Sequence, residues 1–264
     1  MATLDERLND AVVGLANVLL CHVLPLFTQT KGKRPVVVGT GFLVQHNGSS
    51  FLVSAAHVLD HVQLPRALYY YVEPGTLCRV VGTVLRTTPP NGNRSEDRFD
   101  VGVVRLVDTA LPPYPLVSKH SIGSASLRAS QLPRTSKQYV VVGFPKSQSH
   151  ANPANKQLKS RPYAFRIASA EAKQYQYLGL SDESHIVMQL DASHMFFPDG
   201  QVRAMPDPHG MSGSPLWLLY DAKGPNDPTS TPIVGVVIEY HKTEKLIVAT
   251  DIALALHLIN EATT

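Results

Sequence analysis

One stretch in the last quarter of the chain decides its fold: His209-Gly210-Met211-Ser212-Gly213-Ser214-Pro215-Leu216-Trp217. Gly210 and Gly213 flank a serine, and glycine lets the backbone adopt positive φ values and approach a ligand closely. Pro215 fixes φ and lacks an N–H, so the stretch cannot run on into a helix. The apolar and aromatic residues that follow it are typical of a buried strand. We therefore predict a tight turn that carries Ser212 and leads into a strand.

A serine on such a turn is half of an acyl-transfer site, because neighbouring backbone N–H groups can stabilise a developing oxyanion. The other half requires a base and a group that orients it. Phe51-Leu52-Val53-Ser54-Ala55-Ala56-His57 predicts an apolar strand that ends in an imidazole, and Asp100 stands at the head of another apolar strand, Val101-Gly102-Val103-Val104-Arg105-Leu106. His57, Asp100 and Ser212 are therefore candidates for nucleophilic catalysis.

Each candidate has a rival nearby in the sequence. Ser214 is a second serine on the turn, but its neighbour Pro215 has no N–H. His61 lies four residues after His57, about one helical turn beyond the predicted strand end. Asp97 precedes Asp100, yet only Asp100 adjoins the apolar run.

Four motifs together resemble the trypsin/chymotrypsin family of serine peptidases. They are Gly39-Thr40-Gly41-Phe42-Leu43-Val44, Ser54-Ala55-Ala56-His57, Asp100-Val101-Gly102-Val103 and Gly210-Met211-Ser212-Gly213-Ser214-Pro215. They follow the family's His, Asp, Ser order, and the last is similar to the bacterial, glutamyl-endopeptidase-like members. The resemblance implies a serine endopeptidase that works through an acyl-enzyme, with His57, Asp100 and Ser212 as its triad. The backbone N–H groups of Gly210 and Ser212 would form its oxyanion hole.

One position departs from the family pattern. Animal members have an aspartate before the nucleophile, which pairs with the new amino terminus after zymogen cleavage, whereas this chain has Met211. A thioether cannot form that ion pair. We therefore expect the site to be ordered either constitutively or by an activating protein partner. The alternative function is a catalytically silent or partner-gated member of the same fold that binds peptides or proteins.

The pattern of short apolar runs predicts an all-β fold. Strands are expected from about Leu19 to Thr28, in many later runs that include residues 174–178, and on both sides of an Asn47-Gly48 hairpin turn. The resemblance implies two antiparallel six-stranded β-barrels of the chymotrypsin type. We assign residues 1–18 to an amino-terminal helical segment, 19–118 to the first barrel with His57 and Asp100, and 119–264 to the second barrel with Ser212. Asp251 is expected to cap a final helix over residues 252–259.

Composition excludes several classes of protein. The chain has 264 residues, of which 44% are hydrophobic and 17% charged, as in an ordinary globular protein. Its net charge of +3 comes without a long basic run, which argues against nucleic-acid binding. The histidines and cysteines form neither a His-Glu-x-x-His nor a Cys-x-x-Cys pattern, so we expect no metal and no other cofactor. The α/β-hydrolase elbow Gly-x-Ser-x-Gly does not match either, because its fifth position here is Ser214.

The amino-terminal segment and the cysteines suggest a cytoplasmic protein that does not contact a membrane. Residues 11–27 are apolar, but Asp5, Glu6, Arg7 and Asp10 precede them with a net charge of −2, where an export signal requires positive charge. These seventeen residues also contain His22 and Pro25 and are short for a membrane span. Two cysteines, Cys21 and Cys78, are few for a secreted relative, and their pairing is left open.

The substrate is expected to be a protein or peptide, and the resemblance places its primary pocket between two segments. One runs up to the nucleophile and contains Asp207 and His209; the other is Val237-Ile238-Glu239-Tyr240. Asp207 and Glu239 favour a basic substrate side chain, whereas His209 or His241 would favour an acidic one. Basic specificity is the preferred hypothesis from the sequence.

Overall fold

The structure is a computed structural model, and most of its strands belong to two β-sheets. It describes residues 18–32, 34–62, 67–73, 76–107, 120–130, 132–152, 157–190, 195–196, 202–203, 207–221, 224–225 and 231–263, with Glu6, Asp10 and Val12. The predicted helical segment over residues 1–18 lies largely outside this part, although Glu6, Asp10 and Val12 are helical. Residues 18–20 are helical as well, and turn bonds continue to His22, so the strand expected from Leu19 begins only at Val23.

The first sheet is built from the amino-terminal half of the chain. Its strands are β1 (Val23–Gln29), β2 (Pro35–His46), β3 (Ser49–Ala55), β4 (Tyr69–Glu73), β5 (Thr76–Arg79), β6 (Gly82–Arg86) and β7 (Val101–Leu106). They lie in the antiparallel order β5-β4-β1-β2-β3-β7-β6, and β8 (Ser121–Gly123) pairs in parallel with β2. The outer strands β5 and β6 do not pair with each other, so the described part of this sheet is a half-barrel rather than the closed barrel expected.

The second sheet closes into a six-stranded barrel. Its closed path is β16-β18-β19-β13-β12-β9, and β16 also pairs with β9. The strands are β9 (Gln138–Gly143), β12 (Tyr163–Ser169), β13 (His185–Gln189), β16 (Pro215–Asp221), β18 (Ile233–His241) and β19 (Leu246–Asp251). Short strands complete the described set: β10 (Ser149–Asn152), β11 (Gln157–Ser160), β14 (Met195–Phe196), β15 (Val202–Arg203) and β17 (Gly224–Pro225). The all-β prediction is confirmed.

Both faces of the central strands β3 and β7 are largely buried, which explains why these strands read as continuous apolar runs. Side chains alternate between the two faces of a strand. Phe51 and Val53 of β3 pack in a cluster shared with the second barrel, whereas Leu52 packs inside the first sheet. In β7, Val103 packs in the shared cluster and Val104 packs inside the first sheet. The two halves are thus joined by a continuous apolar core.

Helices are short in the described part of the chain: α1 (Ala56–Leu59), α2 (Ala172–Leu178) and α3 (Ile252–Glu261). Asp251 caps α3 by accepting a hydrogen bond from the Ala253 N–H at 2.9 Å, and this predicted helix is confirmed. None of the described helices is long and apolar enough to cross a bilayer.

The strand predicted over residues 174–178 is wrong, because this segment belongs to α2. Tyr175 and Tyr177 alternate with glutamines, a pattern that also fits a strand, but Tyr175 is buried while Tyr177 has 69% of its surface exposed. Leu178, three residues after Tyr175, packs in the same small core cluster, which is helical spacing. Gly179 then ends the helix in the left-handed conformation, with φ 63°.

The two cysteines are not bonded to each other. Neither Cys21 nor Cys78 takes part in a disulfide, and both are partly buried. Burial raises the pKa of the Cys78 thiol, although its contact with Tyr70 partly opposes that rise.

Candidate active site

The pairing of β3 with β7 brings His57 and Asp100 together. Ala55 at the end of β3 lies opposite Val101 at the start of β7, and the Ala56 N–H extends this ladder to the Asp100 carbonyl at 2.8 Å. The next residue, His57, begins to turn into α1. Its backbone N–H donates to Asp100 Oδ1 at 2.8 Å and its ring Nδ1–H donates to Oδ2 at 2.5 Å. One carboxylate therefore holds both the main chain and the ring of His57.

Asp100 occupies a backbone conformation that few side chains adopt. Its φ is 40°, in the left-handed region, where aspartate and asparagine are tolerated better than other non-glycine residues. Its side chain is 12% exposed, against 39% for that of His57. The carboxylate is therefore shielded from water while the imidazole remains accessible.

The Ser212 turn has the predicted glycine conformations. The φ values of Gly210 and Gly213 are 97° and 89°. The Gly213 N–H donates to the Val237 carbonyl at 2.6 Å, which ties the turn to β18. A Cβ on Gly213 would lie 2.1 Å from both Ser54 Oγ and the Thr40 carbonyl oxygen. Glycine is required there by conformation and by space.

Replacing Gly213 by alanine is expected to destabilise the protein by about 3 kcal/mol or more, because a methyl group would displace backbone atoms of β2. Thermal and urea unfolding would measure the loss. Gly48→Ala is the matched control, since Gly48 also has positive φ (76°) but its Cβ would meet nothing within 4 Å. Equal losses in the two variants would show that conformation alone, and not the close approach to β2, makes glycine necessary.

Thr40 connects the two halves of the site. Its N–H donates to the Ser212 carbonyl at 2.8 Å, and its hydroxyl donates to the Gly210 carbonyl at 2.9 Å. The same hydroxyl accepts from the Phe144 N–H at 2.9 Å. Thr40 belongs to β2 of the half-barrel, whereas its partners belong to the second barrel or its loops. The serine turn is therefore held in register with the sheet that carries His57.

The two backbone donors predicted for an oxyanion hole, the N–H groups of Gly210 and Ser212, lie on the serine turn. The Lys146 N–H donates to the His209 carbonyl at 2.7 Å, which sets the plane of the following peptide and turns the Gly210 N–H to its opposite side. Within the described residues, neither the Gly210 N–H nor the Ser212 N–H has a hydrogen-bond acceptor. Both residues line the cleft described next.

A cleft of about 410 Å³ runs between the two halves of the molecule. The first half contributes His57, His61 and the apolar residues 36–38. The second half contributes Lys146, His209, Gly210, Ser212 and residues 238–240. The Ser212 hydroxyl donates to the Ile238 carbonyl at 3.3 Å, and the described residues show no hydrogen bond from it to His57. The structure thus brings His57 and Ser212 to one cleft, with Asp100 hydrogen-bonded to His57 and the serine rotamer directed at β18.

Of the predicted pocket residues, His209, Ile238, Glu239 and Tyr240 line this cleft, whereas Asp207 reaches it only through its contact with His209. His209 Nδ1 hydrogen bonds to Asp207 Oδ1, and this contact lowers the pKa of the Asp207 carboxyl. Glu239 lies 3.2 Å from the Nε2 of His241. Burial raises the pKa of Tyr240, with a smaller contribution from the charge of Asp207. The two carboxylates expected to attract a basic side chain thus each face a histidine of this chain.

The rival residues have different surroundings. Ser214 is fully buried, and its hydroxyl has no hydrogen-bond partner among the described residues. The Asp97 side chain is 2% exposed and bonds to Arg94 and Thr87. His61 does line the cleft. Of the rival residues, only His61 therefore shares the cleft with Ser212.

A second histidine–serine pair was not foreseen from the sequence. His46 Nδ1 lies 2.9 Å from Ser124 Oγ, beside the predicted hairpin turn, where Asn47 and Gly48 have positive φ values. The other ring nitrogen of His46 lies beside the Asn47 amide at 3.1 Å. No described carboxylate contacts this ring. Because the two residues are 78 positions apart, no sequence signal could have linked them.

The buried side chain of His185 contacts the two residues that precede Asp100. His185 Nε2–H donates to the Arg98 carbonyl at 2.9 Å, and its ring stacks on Phe99 with centroids 5.4 Å apart. Burial lowers the pKa of His185, so the ring is neutral at pH 7. Phe99 and Arg98 immediately precede Asp100, and their contacts with β13 therefore fix the start of β7.

A closed barrel and a half-barrel that share one core, with a His–Asp pair and a serine turn facing the cleft between them, define a chymotrypsin-like fold. The family model of the trypsin-like peptidase domain matches residues 39–223, and the chain belongs to that family. Among solved structures, it is similar to neuropsin, a serine protease expressed in the limbic system of mouse brain. The TM-score is 0.57 at 14% sequence identity, over 94% of this chain and 96% of that chain. No curated protein sequence matches the chain significantly.

Proposed function

We propose that this protein is a serine endopeptidase, with Ser212 as nucleophile, His57 as general base and Asp100 as the group that orients the ring. The observation that carries the proposal is the double hydrogen bond from His57 to a shielded Asp100, across the cleft from a serine turn. Membership of the trypsin-like peptidase family supports a protein or peptide substrate. No cofactor takes part in this chemistry.

The proposed mechanism uses the two ring nitrogens of His57 differently. Asp100 accepts a hydrogen bond from Nδ1–H, which leaves Nε2 as the basic nitrogen that removes the Ser212 proton. Ser212 Oγ adds to the peptide carbonyl while the N–H groups of Gly210 and Ser212 stabilise the oxyanion. The imidazolium then protonates the leaving amine, and water activated by His57 hydrolyses the acyl-enzyme. A rotation about χ1 of Ser212 from the Ile238 carbonyl towards Nε2 must precede the first step.

The position of Met211 supports a loop that is ordered without zymogen cleavage. Its side chain is 2% exposed and packs in the core of the second barrel, beside Gly143. Apolar burial at this position replaces the ion pair that an aspartate would make. Activity should therefore not depend on a new amino terminus, and mass spectrometry that links activity to amino-terminal cleavage would contradict this.

A partner-gated protease is the second candidate, favoured by the Ser212 rotamer. The serine hydroxyl is bonded to a main-chain carbonyl and not to the base. A bound substrate or protein could shift the equilibrium between the Ser212 rotamers towards the one that faces His57. In this form the isolated protein is silent, although it retains the triad.

Labelling with a fluorophosphonate probe tests the proposed function. The wild-type protein should be labelled, and peptide mapping should find the probe on Ser212. His57→Ala should remain unlabelled, because the hydroxyl then has no base. If the wild type is labelled only after cell lysate is added, the partner-gated form is correct. No labelling under either condition contradicts the endopeptidase.

The cleft charges favour an acidic substrate side chain over the basic one preferred from the sequence. Asp207 and Glu239 face His209 and His241, whereas Lys146 is exposed at the cleft and has no ion pair among the described residues. We therefore expect peptides with Glu or Asp beside the scissile bond to be cleaved faster than those with Lys or Arg.

Lys146→Glu should lower kcat/KM for acidic peptides by about fivefold, the equivalent of about 1 kcal/mol for an exposed ion pair. A peptide library would measure the change. Lys173→Glu is the control, because Lys173 is exposed on α2 and already pairs with Glu171. Faster cleavage beside Lys or Arg in the wild type would restore the sequence-based hypothesis, and cleavage mainly beside apolar residues would refute both.

A further inference from the structure

A charged cluster joins the segment that carries His57 to the loop that carries Asp100. After α1, the chain continues into a 3₁₀ turn over Asp60–Val62, so Asp60 lies three residues beyond His57. Arg94 begins another 3₁₀ turn, Arg94–Glu96, six residues before Asp100. The Arg94 guanidinium lies between these segments and binds both.

The contacts of Arg94 are directional. Its Nε donates to Asp60 Oδ2 at 3.1 Å and its Nη2 to Asp60 Oδ1 at 3.3 Å, a two-point contact between planar groups. On the other side, Nη1 donates to the Thr87 carbonyl at 2.7 Å and also to Asp97 Oδ2. The Asp97 side chain is only 2% exposed, so its bond to Arg94 is shielded from water, whereas the Asp60 side chain is 36% exposed.

Thr87 transmits this contact to the start of β7. Its hydroxyl donates to Asp97 Oδ2 at 2.6 Å and accepts from the Val101 N–H at 3.2 Å. Its own N–H donates to the Val101 carbonyl at 3.0 Å. Asp97 and Val101 lie on either side of Asp100 in the sequence. Both flanks of the strained Asp100 are thus fixed through the partners of Arg94.

We propose that Arg94 is a positioning residue, which clamps the His57 segment to the Asp100 loop and so sets the hydrogen bond between imidazole and carboxylate. The kinetic part of this inference rests on the proposed endopeptidase function, whereas the geometric part does not. Catalytic hydrogen bonds tolerate little displacement, and a misplacement of about 1 Å can cost about 100-fold in rate. Lysine cannot replace arginine here, because an ammonium has no planar fork for Asp60.

Arg86 provides a matched control. Its Nη1 lies 2.9 Å from Asp60 Oδ1, and its side chain is 24% exposed, close to the 23% of Arg94. In the described structure it has no contact with Asp97 or the Thr87 carbonyl. Arg86→Ala therefore removes a positive charge beside the Asp60 carboxylate and leaves the link from Arg94 to the Asp100 loop intact.

The test compares wild type, Arg94→Ala, Arg94→Lys and Arg86→Ala by kinetics, thermal unfolding and NMR. Arg94→Ala should lower kcat about 100-fold with little change in KM, and Arg94→Lys should recover only part of the loss. The apparent pKa of the acidic limb of the rate profile should fall, because a displaced Asp100 no longer stabilises the imidazolium. The downfield proton signal of the His57 Nδ1–H should weaken or disappear. Arg86→Ala should stay within about threefold of wild type.

Two outcomes would overturn the proposal. One is an equal loss of Tm in Arg94→Ala and Arg86→Ala with the pH profile and the His57 signal unchanged, which is a purely structural role. The other is full activity in Arg94→Lys. If Arg94→Ala does not fold, the Arg94→Lys measurements decide.

The NMR signal also separates this inference from the proposed function. A wild-type protein that cleaves nothing, yet shows the His57 signal and loses it in the Arg94 variants, would retain the clamp and refute the endopeptidase.

Discussion

Ser212→Ala is expected to lower kcat by about 10⁶-fold, because knocking out the nucleophile of a Ser-His-Asp site removes covalent catalysis entirely. The fold should be unaffected, since among the described residues the Ser212 hydroxyl bonds only to Ile238, at 3.3 Å, and the turn is held by main-chain bonds to Thr40 and Val237. KM should change little. Burst kinetics on an activated ester or peptide substrate would show the loss of the acyl-enzyme.

The control for this variant is Ser214→Ala. The Ser214 hydroxyl is buried without a partner among the described residues, so its removal costs no visible hydrogen bond. Activity should stay within a few-fold of wild type. If the two variants exchange behaviour, Ser214 is the nucleophile and the assignment of the turn is wrong.

Asp100→Asn is expected to lower kcat by about 10⁴-fold at neutral pH. The carboxylate accepts hydrogen bonds from both the backbone N–H and the ring Nδ1–H of His57, and an amide can accept through only one of its atoms. If the amide nitrogen faces the ring, it favours the tautomer with the proton on Nε2, which cannot act as the base. Asparagine tolerates the φ of 40°, so the variant should fold.

Rate profiles from pH 5 to 10 would measure this loss, with probe labelling as a second readout. Glu96→Gln is the control, because Glu96 lies in the same loop and its carboxylate, within the part of the chain that the structure describes, bonds only to the exposed Asn91 and Asn93. It should stay within about twofold of wild type. An Asp100→Asn variant within tenfold of wild type would mean that Asp100 does not orient the base.

The elements that sequence reasoning predicted well are those whose pattern is local. The apolar run of β3, the hairpin turn at Asn47-Gly48 and the cap of α3 by Asp251 each depend on residues that are close in sequence. The same reasoning failed for α2, where the aromatic alternation of Tyr175 and Tyr177 matched a strand. Only the burial of Tyr175 with Leu178 against β13 and β19 shows the helical period.

Of the candidate site, too, only the features with a local sequence pattern could be predicted. His57, Asp100 and Ser212 could be proposed because each sits beside an apolar run or a glycine turn that is visible in the sequence. The partners of the pocket carboxylates could not be predicted, because the sequence does not show that Asp207 bonds to His209 or that Glu239 faces His241.

The sequence by itself determined the strand-rich class of the protein, the glycine turn at Ser212 and the order of the candidate catalytic residues. These follow from side-chain chemistry and backbone preferences that act over a few positions. The tertiary structure alone decided that Thr40 holds the serine turn to the first sheet and that Arg94 joins Asp60 to Asp97. It also decided that the second sheet closes, whereas the described part of the first sheet stays open. Such contacts join residues far apart in the chain, and only the packing of the two apolar faces brings them within hydrogen-bond distance.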